Sequence, residues 1–182
     1  SRMGKRQPNL YLDTKYCAMQ MIESGITTVM HNQNLLRLPS DIAMYESSTK
    51  VIQAYEESGM RVAFSLSFKD QNTLLYEDDE AFLATLPLDL NRDVRAFQEE
   101  RPISMEQYLA LCAELFQRNQ SPRTRIFISP HNVHTCSDSL LKEIRDFGTN
   151  HSTGIHIHLQ ETIYQRMYGT RHWGKTPLAH LY

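Results

Sequence analysis

The sequence predicts an α/β fold with a parallel sheet, and three observations support this prediction. Helical and strand-like segments alternate along all 182 residues, and a helix precedes each strand. The connections from helix to strand are short, and alternation of this kind implies a parallel sheet with right-handed crossovers. The strands are almost uniformly apolar, as expected when both faces of a sheet are covered. An open doubly wound sheet and a (β/α)8 barrel are both compatible with this alternation.

The predicted helices show apolar residues at a spacing of three to four, with recognisable ends. They span Tyr11–Ser24, Ser40 or Asp41 to Gly59, a run that begins at Ser104, and Ser137–Phe147, with further starts at Thr162–Tyr168 and Thr176. Ser104 and Gln107 have the spacing of a capping box. Gly25 and Gly148 follow their helices, where a left-handed residue often ends the last turn.

Short β-branched and apolar runs between these helices predict four strands. The strands are Ile26–Met30, Met60–Phe68, Arg125–Ser129 and Gly154–Leu159. Residues 69–102 are acidic and mixed in character. For them we predict a loop with one short helix near Asp78–Thr85.

The composition excludes several classes of protein. The 19 Lys and Arg residues nearly balance 21 Asp and Glu residues, so no nucleic-acid partner is expected. The apolar runs fall far short of the ~20 residues that a membrane helix needs, and no apolar signal segment follows the basic start. The three scattered cysteines cannot form a disulfide framework. We therefore expect a soluble, cytoplasmic protein.

Polar side chains that can bind ligands, coordinate metals or transfer protons cluster where the predicted strands end. The clusters are His31–Asn34, Lys69–Asn72, His131–His134 and His158–Glu161. In parallel α/β folds, the carboxyl ends of the strands carry the functional site, whether the sheet is open or closed. Solvation of ordinary loops is the alternative explanation, but the recurrence at four strand ends favours a site.

The last predicted strand is the most informative. Side chains two residues apart share a face of a strand, so His156 and His158 point the same way. Buried imidazoles need partners for their ring nitrogens, and a metal ion is one such partner. We predict His158 as a metal ligand and His156 as a hydrogen-bonded core residue. Glu161 follows the strand end, where a carboxylate can act as a general acid or base.

Other candidates are weaker. His131 follows a proline at a strand end, and its ring could contact a substrate or stabilise a turn. For His31 and Lys69, a local structural role is favoured. His134 and Cys136 lie close in sequence, but no set of base, nucleophile and orienting group surrounds them.

Several motifs in correct order resemble the amidohydrolase superfamily, in the branch of cytosine/guanine-type deaminases and triazine chlorohydrolases. They are Gly25–Val29, Ser129–His131 with Thr135–Ser137, His156–Thr162, and the stretch from Tyr164 through Trp173–Lys175 to Pro177 and His180. The resemblance implies a metal-dependent (β/α)8 barrel in which these strands are the second to fifth. It implies one partial barrel domain over residues 1–182, with no second domain. The first-strand His-x-His pair and the later His and Asp ligands of the family are absent, so an interior portion of an enzyme is expected.

The resemblance also implies roles for three residues. His158 matches the metal ligand of the fifth strand, Glu161 the carboxylate that shuttles protons, and His131 a substrate-contacting histidine. His134 stands where the family usually has tyrosine. The implied cofactor is one divalent metal ion, with Zn²⁺ favoured and Fe²⁺ as the alternative.

The implied activity is hydrolysis of carbon–nitrogen bonds, in particular deamination of a small aminated heterocycle. A whole barrel takes ~250 residues, so we expect the 182-residue segment alone to be inactive. Assembly into a homo-oligomer is a further, open expectation. Two alternatives remain: a non-catalytic amidohydrolase relative, and an open-sheet α/β ligand-binding protein.

Overall fold

A computed structural model describes residues 9–34, 41–99 and 103–182, and within them helices and strands alternate as predicted. The helices are Leu10–Glu23 (α1), Asp41–Ser58 (α2), Asp79–Leu83 (α3), Leu88–Glu99 (α4), Met105–Arg118 (α5), Asp138–Asn150 (α6), Ile163–Trp173 (α7) and Pro177–His180 (α8). The strands are Thr28–Asn34 (β1), Arg61–Phe68 (β2) and Thr124–Pro130 (β3). Ser40, one of the two predicted starts of the second helix, lies outside the described residues. No helix within the described ranges has the length and apolar character to cross a membrane.

The three strands are parallel and lie side by side in the order β1-β2-β3. An open doubly wound sheet changes direction at a switch point, where the strand order reverses. Over the part of the chain that the structure describes, the strands follow chain order without a reversal. This is the order found within a (β/α)8 barrel.

The predicted fourth strand, Gly154–Leu159, forms only two isolated parallel bridges to β3 and its extension. The amide of His156 donates to the Ile128 carbonyl at 2.9 Å, whereas the amide of His158 donates to the His131 carbonyl at 3.2 Å. Pro130 lies between these two acceptors. It has no N–H to continue the ladder, so the ladder is interrupted and a regular strand does not form.

β1 is longer than predicted and begins later. His31–Asn34, which we expected beyond the strand end, lie within it because their backbone pairs with β2 whatever their side chains are. The register places His31 beside Phe64, on the face that the helices cover, and Asn32 beside Ser65 on the opposite face. We call this opposite face the open face. Only side chains on the open face or beyond the strand ends can share one site.

The hydrophobic core lies between the covered face of the sheet and the helices. Its sheet residues include Val62, Phe64 and Leu66, all nearly inaccessible to solvent. Tyr108 of α5 is also fully buried. Its hydroxyl donates to the Leu66 carbonyl at 2.9 Å and accepts from the Ser129 amide at 3.1 Å. This hydroxyl therefore joins β2 to β3 from the helix layer.

The described part of residues 69–102 contains more helix than predicted. The short predicted helix is α3, but α4 was not predicted, because most of its residues are polar; its apolar side chains Leu88 and Phe97 are exposed. Polar contacts hold α4 in place instead. The guanidinium of Arg95 donates to both carboxylate oxygens of Glu80, at 2.9 and 2.7 Å.

Local signals at other helix ends are confirmed, with one exception. Ser104 and Gln107 form both hydrogen bonds of a capping box, and Gly25 has a φ of +83°. The predicted end of the helix at Gly148 is wrong, since α6 continues to Asn150. A Cβ at residue 148 would lie 3.3 Å from Cγ1 of Ile155, so this glycine permits close packing of the helix on the 154–159 segment.

Candidate active site

The structure brings His131 and His158 together beyond the carboxyl end of β3. Their ring centroids are 5.6 Å apart. Nδ1 of His158 lies 3.1 Å from the carbonyl oxygen of His131. A carbonyl oxygen can only accept, so Nδ1 carries a proton, and in the neutral imidazole the lone pair is then on Nε2. This is the tautomer in which a histidine binds a metal through Nε2 while a neighbouring group orients its ring.

Glu161 is held by an unusual turn between the 154–159 segment and α7. Gln160 adopts a left-handed conformation, with a φ of +54°, which costs energy for a residue other than glycine. The side chain of Gln165 is buried, and its Oε1 accepts from the Glu161 amide at 3.0 Å. Thr162 caps α7 by accepting from the Gln165 amide. These contacts hold the backbone on both sides of the exposed Glu161 carboxylate.

Several charges act on the imidazole of His131. Burial is the main cause that lowers its pKa, followed by the positive charge of Lys69 and by the charge that His158 carries when it is protonated. The Glu161 carboxylate acts in the opposite direction and raises the pKa of His131. The Asp70 amide donates to the Thr135 carbonyl at 3.1 Å, so the loop that carries Lys69 is attached to the loop that follows His131.

His134 belongs to an aromatic cluster with Tyr76 and Tyr168. Its buried ring stacks on Tyr76 at a centroid distance of 4.4 Å and contacts Tyr168 at 5.6 Å. Burial is the largest cause that lowers the pKa of His134 to about 4, followed by the charges of His131 and Lys69. The ring is therefore neutral near pH 7. Sequence analysis did not identify Tyr76, because no local pattern connects it to residues far along the chain.

The low pKa of His134 predicts a pH dependence of stability. Between pH 6.5 and about 4, the unfolded chain binds a proton at this site and the folded protein does not, so the free energy of unfolding falls as the pH falls. His134→Phe is expected to reduce this slope by up to about one proton. Urea unfolding at several pH values measures the slope, and His172→Phe on the exposed side of α7 is the control. An unchanged slope in His134→Phe would contradict the prediction.

The thiol of Cys136 lies in an environment that does not favour a nucleophile. All three cysteines are free. Cys136 is buried and its Sγ lies 3.5 Å from the Phe68 carbonyl. Burial raises the pKa of this thiol to about 11, whereas a nucleophilic cysteine needs a lowered pKa.

His156 and His31 lie on opposite faces of the sheet. His156 is buried on the open face, where its Nδ1 lies 3.0 Å from the Ser65 hydroxyl. Its Nε2 is buried and has no hydrogen-bond partner among the described residues, so the predicted core histidine is satisfied at one nitrogen only. His31 lies on the covered face, with its Nδ1 2.8 Å from the Tyr55 hydroxyl. It has a packing role, as favoured from the sequence.

The described residues fit a metal ion only in part. In the tautomer described above, Nε2 of His158 could coordinate one metal ion, and Zn²⁺ commonly takes imidazole ligands. Within the described ranges, no group of three or more His, Cys, Asp or Glu side chains is arranged to hold a metal. Catalytic zinc sites usually have three protein ligands. The described residues therefore do not form a complete ligand set of this kind.

Fold and site together define an α/β protein in which His131 and His158 meet beyond the carboxyl edge of a parallel sheet. Residues 7–174 match the model of the Amidohydrolase family, and the chain belongs to that family. This confirms the resemblance seen in the sequence motifs.

Relatives and solved structures agree with this assignment. The chain is 28% identical over 158 residues to the 5'-deoxyadenosine deaminase of Methanobrevibacter smithii. This alignment covers 83% of the chain and 28% of that protein. Its fold is similar to that of the atrazine chlorohydrolase of Arthrobacter aurescens TC1 complexed with zinc, with a TM-score of 0.70, 18% identity, and coverage of 99% and 36% of the two chains. An adenosine deaminase from Xanthomonas campestris with bound zinc gives a TM-score of 0.65 and 19% identity, over 94% of this chain and 30% of that one. The chain thus spans about three tenths of the length of the deaminase from M. smithii.

Proposed function

We propose that this chain forms part of a metal-dependent hydrolase that removes an amino group from a small aminated heterocycle. One observation carries the proposal: His158, in a tautomer that leaves Nε2 available for a metal, lies beside His131, and the charge of Glu161 reaches the same imidazole. Membership of the Amidohydrolase family supports this chemistry. The sequential parallel strands support a segment of a (β/α)8 barrel.

The three residues take different roles in this proposal. His158 is one metal ligand through Nε2. A bound divalent ion, Zn²⁺ in preference to Fe²⁺, would lower the pKa of water to ~7 and so provide hydroxide at neutral pH. Glu161 accepts a proton and delivers it to a ring nitrogen of the substrate. His131, whose pKa burial lowers, exchanges a hydrogen bond with the substrate.

Names of relatives direct the choice of substrates to test. The relative from M. smithii is named for 5'-deoxyadenosine, and a structural neighbour is a guanine deaminase with bound guanine. Aminopurines are therefore the first candidates within the class of aminated heterocycles.

Ammonia release tests the proposed function. The natural gene product, loaded with Zn²⁺, is expected to release ammonia from 5'-deoxyadenosine or another aminopurine, and a chelator is expected to stop the reaction. The 182-residue polypeptide alone is expected to bind Zn²⁺ weakly and release none, because its described residues do not form a complete ligand set. Release that persists after complete removal of the metal would refute the proposal, and turnover by the polypeptide alone would refute the second expectation.

Gln165 offers a test of how Glu161 is positioned. Gln165→Leu removes the acceptor for the Glu161 amide and is expected to lower kcat about tenfold, the effect of about one buried hydrogen bond. Gln165→Glu keeps an acceptor oxygen and is expected to retain most of the activity. Both variants are compared by ammonia release and thermal unfolding. Equal kcat values for the two variants would contradict the positioning role.

A further inference from the structure

A cleft of about 460 Å³ lies between Tyr76–Glu77 and one side of α7. We call it the α7 cleft, and its principal lining residues are Tyr76, Glu77, Ile163, Tyr164, Met167 and Arg171. Its volume falls in the range of sites for small molecules. The residues assigned to the proposed reaction do not line it.

The walls of the α7 cleft are apolar and accessible. Ile163, Tyr164 and Met167 occupy one face at the start of α7, and all three side chains are exposed. At Tyr164, 60% of the residue is exposed. Its ring lies 6.1 Å from that of Tyr76, tilted by 35°. Contiguous exposed apolar groups that line a concavity mark a binding site.

The charges in the α7 cleft favour an anion. Arg166 and Arg171 line it together with one carboxylate, that of Glu77. Nη1 of Arg171 donates to the Glu77 carboxylate at 2.7 Å. A guanidinium group has five N–H donors, so this contact leaves donors that a second carboxylate could use. The complementary ligand is a small molecule with a planar or apolar body and one anionic group.

Tyr76 connects the α7 cleft to the candidate active site. Its ring stacks on His134, and its hydroxyl lies 3.2 Å from Oγ1 of Thr162, the residue that follows Glu161. We propose that the α7 cleft is a subsite for the part of the substrate beyond its reacting ring, and that it binds a planar or apolar group that ends in an anion. This inference rests on the proposed function, but the binding itself can be measured without turnover.

Binding of 2-naphthoate and of neutral 2-naphthol to the 182-residue chain tests the inference. The two probes have the same ring system and differ in charge near pH 7. NMR spectra with labelled methionine methyl groups report on Met167. The Met167 signal is expected to shift with both probes, and 2-naphthoate is expected to bind about tenfold more tightly, the effect of one hydrogen bond to a charged group.

Two exposed positions provide variants with matched controls. Arg171→Gln is expected to abolish the preference for 2-naphthoate, whereas Arg145→Gln is not; these arginine side chains are 72% and 65% exposed, and each pairs with one carboxylate. Tyr164→Ala is expected to weaken binding of both probes, whereas Tyr16→Ala, at a tyrosine that is 63% exposed on α1, is not.

Three results would overturn the subsite: equal affinities for the two probes, an unchanged preference in Arg171→Gln, or shifts confined to methionines other than Met167. Failure of the proposed function gives a different result. In that case, ammonia release by the natural gene product is absent or does not depend on Glu161, while the binding of 2-naphthoate at Met167 persists.

Discussion

Glu161→Gln is expected to lower kcat for deamination by about 10²–10⁴-fold, the contribution of a well-placed general acid or base. The amide keeps the size of the carboxylate but cannot accept the proton that the proposed mechanism moves to the substrate. Because the Glu161 side chain is exposed and is not proposed as a metal ligand, the fold and the zinc content should not change. Initial rates of ammonia release by the natural gene product measure the effect.

A matched substitution separates loss of the proton carrier from loss of any surface charge. Glu143 is another exposed glutamate, on α6, and Glu143→Gln is expected to keep kcat within about twofold, as for a surface change away from the site. Metal analysis of both variants checks that the zinc content is equal. A Glu161→Gln variant with the kcat of the parent protein would remove Glu161 from the mechanism.

Phe64→Ala is expected to lower the free energy of unfolding by about 3–5 kcal/mol, the usual cost of deleting a buried phenyl group. Phe64 is inaccessible to solvent at the centre of β2 and belongs to the core between sheet and helices. Its ring also stacks on His31 of β1, so its removal leaves a cavity beside two strands. Urea unfolding followed by circular dichroism measures the loss.

The control for Phe64→Ala is a phenylalanine that contributes little to the core. Phe97 of α4 is 56% exposed, and Phe97→Ala is expected to change the free energy of unfolding by less than about 1 kcal/mol. A loss of less than about 1 kcal/mol in Phe64→Ala would contradict the core described for this sheet.

The sequence predicted local structure well where the signal itself is local. The capping box at Ser104 and the left-handed Gly25 depend on neighbouring residues, so they were predicted correctly. α4 was missed because most of its residues are polar and because its contacts, such as that of Arg95 with Glu80, join residues of different elements. The extent of the fourth strand was also overestimated. The interruption depends on which residues of β3 face His156 and His158, and this register places Pro130 between the two carbonyl acceptors.

By itself, the sequence determined the order of helices and strands, the family, and the identity of His131, His158 and Glu161 as candidates, because periodicity, end signals and motifs are written along the chain. The tertiary structure decided which side chains meet. It placed His31 on the covered face, gave His158 the tautomer that exposes Nε2, and set Tyr76 against His134. These outcomes depend on strand register and on contacts between residues distant in sequence. Local sequence patterns do not specify either of them.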